Sequence, residues 1–131
     1  MAEIWSVHAG EDACDLAMRA PGAARVASDE VMVPGPIAED IRAAVRTVDP
    51  DAVIRESTEG WAEVVIRGGD ARDVFARLSD LRLPDGRGYV QGDVARVPAR
   101  VFVEEDGLRL LVPASWGAYL RRVFEDVGSG A

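Results

Sequence analysis

The amino-acid sequence predicts an α+β fold, a mainly antiparallel sheet with about three main helices packed on one face. Two observations carry this. Three segments repeat their apolar residues at helical spacing, and the runs between them are short, rich in Val and Ile, and separated by turn residues. A third observation fixes the strand direction. Glu105-Asp106-Gly107 stands between two alternating runs, and an Asp-Gly pair in that setting is the strongest short-range hairpin signal.

In chain order, the N-terminal 28 residues are the least regular, an extension with a short strand at Glu3–His8 and a short helix over Glu11–Arg19. A strand follows at Glu30–Val33. Pro36–Val48 is the first main helix, with Ile37, Ile41, Ala44, Val45 and Val48 on one face. Gly35-Pro36 opens it, and Asp49-Pro50 closes it because a residue before proline avoids the α region. Strands at Ala52–Ser57 and Trp61–Arg67 flank a turn at Glu59-Gly60. Asp70–Leu81 is the second helix, with Asp70 at its N-cap and Ala71, Val74, Phe75, Leu78 and Leu81 inward. Tyr89–Val94, Val97–Glu104 and Leu108–Val112 are strands, and Pro98 places the start of the second at an edge or bulge. The last helix is Ser115–Val127, with Trp116, Leu120, Val123, Phe124 and Val127 inward. One α+β domain is expected over residues 1–127, with a disordered tail at Gly128–Ala131.

Composition excludes several functions. The 131 residues include 15 basic side chains, all Arg, against 23 acidic ones, for a net charge of −8. Without Lys there is no Schiff base, no lysine general base and no Walker-type phosphate lysine. The acidic balance argues against nucleic acid as a partner, because phosphate neutralisation supplies most non-specific affinity. One His and one Cys fall short of the four ligands of a structural zinc site. A lone Cys suits a reducing compartment, no apolar run reaches membrane-spanning length, and Met1–Gly10 has no leader-like pattern; a cytoplasmic, membrane-free protein is expected.

Chemistry-bearing side chains are few. His8 reads as a surface or turn histidine, and Cys14, beside Leu16 and Ala17, as a small buried hydrophobe without an activator. Of the paired carboxylates, Asp29-Glu30 precedes a strand and Glu104-Glu105-Asp106 falls in the hairpin turn, where solvated charge is expected. Gly68-Gly69-Asp70 joins a strand to a helix, but its Asp competes for the backbone donors a phosphate would need. No catalytic, cofactor-binding or metal-ligating residue is assigned. The aromatic residues say more. Alternation places Trp61 with Glu63, Val65 and Arg67, opposite Ala62, Val64 and Ile66. That mixed face is either solvated or covered by another subunit, and Trp61, Glu63 and Arg67 are the candidate interface residues.

Gly60-Trp61-Ala62-Glu63-Val64-Val65-Ile66-Arg67-Gly68 followed by Asp70-Ala71 resembles the strand, glycine and helix start of the aminomethyltransferase-like, folate-binding fold. Ala76–Leu83, Gly92–Arg96 and Leu108–Ser115 ending in Tyr119-Leu120 are similar to the gamma subunit of heterotetrameric sarcosine oxidase, over about residues 58–125. The resemblance implies a non-catalytic accessory subunit that binds no cofactor itself. It implies larger alpha- and beta-type partners carrying FAD/FMN, NAD and tetrahydrofolate, with a small zinc-binding delta-type subunit. Two other readings stay open: a folate-binding module completed as a homodimer, and a small stand-alone enzyme using His8 or an acidic pair.

Overall fold

The computed structural model describes residues 3–128. The class is α+β, as the sequence predicts, but the strands divide between two four-stranded antiparallel sheets instead of joining one. Contacts group the chain into two compact units, Met1–Thr58 and Glu59–Ala131.

The first unit runs β1 (Ile4–His8), α1 (Glu11–Ala17), β2 (Ala24–Ala27), β3 (Glu30–Pro34), α2 (Glu39–Val48) and β4 (Val53–Glu56), with strand order β2-β3-β1-β4. The N-terminal residues, read as a loosely defined extension, therefore supply an inner strand. Val7, Val31 and Val33 form one sheet face and bury Ala13, Cys14 and Ala17 of α1 and Val45 of α2. Burying this many apolar side chains is what holds a seven-residue helix such as α1, too short to persist alone. Its first turn carries Glu11 and Asp12 at the positive helix end, and Asp49 accepts a 2.9 Å hydrogen bond from the Gly10 N–H. Sequence reasoning missed β2, whose Ala-Arg-Val-Ala holds a single β-forming residue, Val26. Arg25 holds it in place, donating to Asp15 at 2.8 Å, to the Ser28 carbonyl at 2.8 Å and to the Ala27 carbonyl at 3.0 Å.

The second unit runs β5 (Trp61–Arg67), α3 (Ala71–Ala76), β6 (Gly88–Val94), β7 (Val97–Glu104), β8 (Gly107–Pro113) and α4 (Gly117–Gly128), with strand order β5-β8-β7-β6. Val64, Leu108, Leu110, Val112, Val101 and Val103 line one sheet face and pack with Val74 and Phe75 of α3 and Leu120 and Phe124 of α4. Pro98 sits where β7 pairs with β6 alone, since the β7–β8 register begins at Arg100; locally it is on an edge, as expected. A 3-10 turn at Thr58–Gly60 occupies the predicted Glu59-Gly60 turn, but it joins strands of different sheets.

Three helix readings need correction. α2 begins at Glu39 rather than Pro36, and Val48, expected on its inward face, is exposed. α3 ends at Ala76, not Leu81. Ser79 donates to the Asp93 carbonyl at 2.8 Å and accepts from the Leu81 N–H at 3.2 Å, a local side-chain turn that competes with the helix. Leu78 and Leu81 still reach the core from this loop. Asp70 does occupy the N-cap position, but its backbone (φ −98°, ψ 5°) is outside the extended capping geometry and its side chain makes no cap hydrogen bond. Trp116, predicted inward, is 47% exposed. It lies in a 3-10 turn (Ala114–Trp116), which shifts the phase, so the buried stripe of α4 is Gly117, Leu120 and Phe124. A tryptophan cannot take the place of Gly117, where even a Cβ would collide with that of Ala62. Of the tail expected to be disordered, Gly128 ends α4 and residues 129–131 lie outside the described residues.

Candidate interaction face

Strand alternation puts Trp61, Glu63, Val65 and Arg67 on the face of β5 opposite the core, as the sequence predicts. Register then extends that face across the sheet. Trp61 stands opposite Pro113, Glu63 opposite Leu111, Val65 opposite Arg109 and Arg67 opposite Gly107. On β7, Arg100 is opposite Leu111 and Phe102 opposite Arg109.

Each predicted interface residue has a partner within the chain. The Arg100 guanidinium lies 4.3 Å from the centroid of the half-buried Trp61 ring. Trp61, Pro98, Arg100 and Pro113 line an open groove of about 310 Å³. Glu63 faces Arg109 at 3.8 Å, and Glu104 closes on the same arginine at 3.5 Å. The Arg109 side chain is only 16% exposed and its guanidinium lies 4.6 Å from the Phe102 ring centroid, with Tyr89 tilted against Phe102 at 5.1 Å. A cation held this far from water is stabilised by two carboxylates and a ring face together. Arg67, at the far end of β5, pairs with Asp106 at 2.8 Å in full view of solvent, which contributes little to stability.

Arg100 and Arg109 were not singled out from the sequence. The signal was a lone arginine inside an apolar strand, in Ala99-Arg100-Val101 and Leu108-Arg109-Leu110, where only a paired cation is tolerated.

The remaining candidates do not converge. His8 ends β1, within the strand expected at Glu3–His8, and its side chain is a surface one, with Nε2 3.9 Å from its register partner Glu30. Cys14 is buried, its thiol donating to the Ala9 carbonyl at 3.5 Å. Burial pushes that thiol above its ordinary value, outweighing the nearby Arg25 charge that acts the other way. Since the folded chain holds the proton more tightly, the associated stability is complete below the unfolded thiol's pKa and is lost as pH rises through the folded one. At mildly alkaline pH, native Cys14 is expected to resist a thiol-specific disulfide reagent that labels the urea-unfolded chain at once. Equal labelling rates in the two states would refute its burial.

A larger open cleft, about 660 Å³, lies along Gly68-Gly69 and the Glu104–Gly107 turn. Its arginines Arg67, Arg72 and Arg87 are matched by Asp85, Glu104, Glu105 and Asp106, and Arg72 is committed to the Pro84 carbonyl at 2.7 Å. Charges of both signs give it no field for a phosphate. No group of His, Cys, Asp and Glu side chains able to hold a metal ion occurs among the described residues. No helix there is long and apolar enough to cross a membrane.

No known family model matches the sequence, and no curated protein matches it. The fold is similar to that of a chain in the solved structure of heterotetrameric sarcosine oxidase from Corynebacterium sp. U-96 in complex with pyrrole 2-carboxylate. The TM-score is 0.78 over 98% of this chain and 80% of that one, at 12% sequence identity. At that identity the likeness is one of fold.

Proposed function

We propose that this chain is a non-catalytic, gamma-like accessory subunit of a heteromeric flavin-dependent sarcosine- or amine-oxidase-type complex in the cytoplasm. Its partners are larger alpha- and beta-type subunits that carry FAD/FMN, NAD and tetrahydrofolate, with a zinc-binding delta-type subunit in a four-part assembly. The observation that carries the reading is the likeness of fold, over 98% of the chain, to a chain of a heterotetrameric oxidase. The disposition of reactive groups supports it: Cys14 is sequestered, His8 faces Glu30 on a strand, and Glu104 and Asp106 pair with arginines.

The test is the native mass and colour of the protein purified from its source with its neighbours intact. A yellow, flavin-bearing assembly many times the 14.1 kDa of the chain is the expected result. A colourless species of one or two copies overturns it, and folate titration then decides for or against the homodimeric module.

Within such an assembly, Trp61→Ala is expected to weaken subunit association about tenfold or more, as loss of an aromatic anchor does. The isolated chain should lose only about 1 kcal/mol, the worth of the Arg100 stacking contact. Undiminished association in a titration of the remaining subunits would remove Trp61 from the interface.

A further inference from the structure

Each sheet ends in two edge strands, and three of these four edges are blunted. β2 and β4 are four residues long, and the register of β2 slips between Arg25 and Ala27. β6 is longer, but the loop after α3 lies against it. There Ser79 donates to the Asp93 carbonyl at 2.8 Å, and the Ala95 N–H donates to the Leu78 carbonyl at 2.8 Å. β5 is different. Its seven residues pair with β8 from Trp61 to Arg67 without a slip, and no proline interrupts them.

The pairing also fixes where its backbone groups point. The Gly68 N–H donates to the Asp106 carbonyl at 3.0 Å, so the even-numbered residues of β5 bond to β8. Trp61 accordingly stands opposite Pro113, which has no N–H to give. The N–H and C=O groups of Glu63, Val65 and Arg67 therefore point out of the sheet. The Glu63 carbonyl accepts from Arg121 Nη2 at 2.7 Å, a bond that the amide of a neighbouring strand would otherwise make, and it keeps a second lone pair. In the first unit the equivalent side is filled. β3, which precedes α2, lies on one side of β1, and β4, which follows α2, pairs antiparallel with the other. In the second unit β8 precedes α4 and lies beside β5, but among the described residues no strand pairs with the other side of β5. A regular open row of this length is a template for another strand.

We propose that the β5 edge pairs with the β5 edge of a second copy of this chain, antiparallel about a twofold axis at Val65, so that the two four-stranded sheets become one continuous sheet. The edge selects both occupant and register. Glu63 and Arg67 each lie two positions from Val65, so this pairing sets Glu63 opposite the copy's Arg67 twice over. It also sets Val64 opposite Ile66, and the 40% exposed Val65 opposite itself. Moving the axis to Val64 or Ile66 sets Glu63 against Val65 or Gly69 instead. The present Arg67–Asp106 pair is exposed to solvent and the Glu63–Arg109 distance is 3.8 Å, so both charges can be shared. The pairing is a property of the free chain and does not depend on the oxidase-subunit reading.

The test is the mass of the purified chain by sedimentation equilibrium at about 0.15 M salt, which screens the net charge of −8 on each copy. The wild-type chain is expected at twice 14.1 kDa, dissociating on dilution. Val65→Pro removes an outward N–H while leaving the β5–β8 bonds in place, and should give a monomer at every concentration. Arg67→Glu sets Glu against Glu63 and should raise the dissociation constant about tenfold. Arg19→Glu alters the net charge equally at an exposed turn and should leave that constant unchanged. Should Val65→Pro fail to fold by far-UV circular dichroism, Arg67→Glu decides alone. A monomeric wild-type chain, or a dimer indifferent to both β5 variants, overturns the pairing. A monomeric wild-type chain whose binding to purified flavin-bearing subunits is abolished by Val65→Pro gives the edge to a partner's strand, which overturns the second copy and leaves the oxidase reading standing.

Discussion

Leu120→Ala is expected to cost about 3–5 kcal/mol of stability, while Trp116→Ala, four residues earlier, costs about 1 kcal/mol, the worth of its ring contact with Tyr119. Leu120 is fully buried and belongs to the cluster that joins α4 to Val64, Leu110 and Phe75. Truncating it removes the apolar contact and leaves a hole that Gly117 and Phe124, its neighbours on the buried stripe, cannot close. Trp116 has nearly half its surface in water already, and its ring touches Tyr119, which is itself exposed. Urea unfolding followed by far-UV circular dichroism separates the two cases. Comparable losses for both variants would mean that the helix docks through Trp116, the phase the periodicity alone predicts.

That pair shows what the sequence could and could not reveal. Periodicity located the three main helices, because an apolar stripe must face a core whatever the topology. It could not see that Ala114–Trp116 tightens into a 3-10 turn, so one residue at the helix entry rotated out of the stripe. Alternation was more faithful. β5 and β7 have the predicted bounds, and Trp61, Glu63 and Arg67 do share a face. What alternation cannot report is register. Only pairing brings Arg100 over Trp61 and places Arg109 between Glu63 and Glu104, contacts that join residues as many as forty-six positions apart. The division into two sheets was hidden for the same reason. The short turn at Thr58–Gly60 looks like a hairpin, yet β4 pairs with β1 and β5 with β8. Two unsignalled features are compositional: β2 is built on alanines, and the β6–β7 turn uses Ala95 and Arg96 at φ 49° and 69°, where Asn-Gly would be the legible choice.

Gly107→Val is the second large effect, and there propensity and structure predict opposite signs. Valine is a strong β-former and Gly107 opens β8, so strand propensity alone anticipates a gain. The structure anticipates a loss of about 3 kcal/mol. Gly107 is paired on both sides, with Glu104 of β7 and with Arg67 of β5, and the Gly68 N–H donates to the adjacent Asp106 carbonyl at 3.0 Å. A Cβ at this junction would run into the backbone carbonyl of Ile66 and crowd the Cα of Arg67. Backbone cannot swing aside as a flexible side chain can, so β5 must part from β8 at its end or the hairpin must open. Gly86→Ala is the control, because a Cβ there meets nothing and the change should be neutral or raise stability by up to about 1 kcal/mol. Urea midpoints of the two variants decide the matter. If Gly107→Val matches or exceeds the parent, the glycine is only a turn residue, and the three-strand junction that holds β5 against β8 at Arg67 has been misassigned.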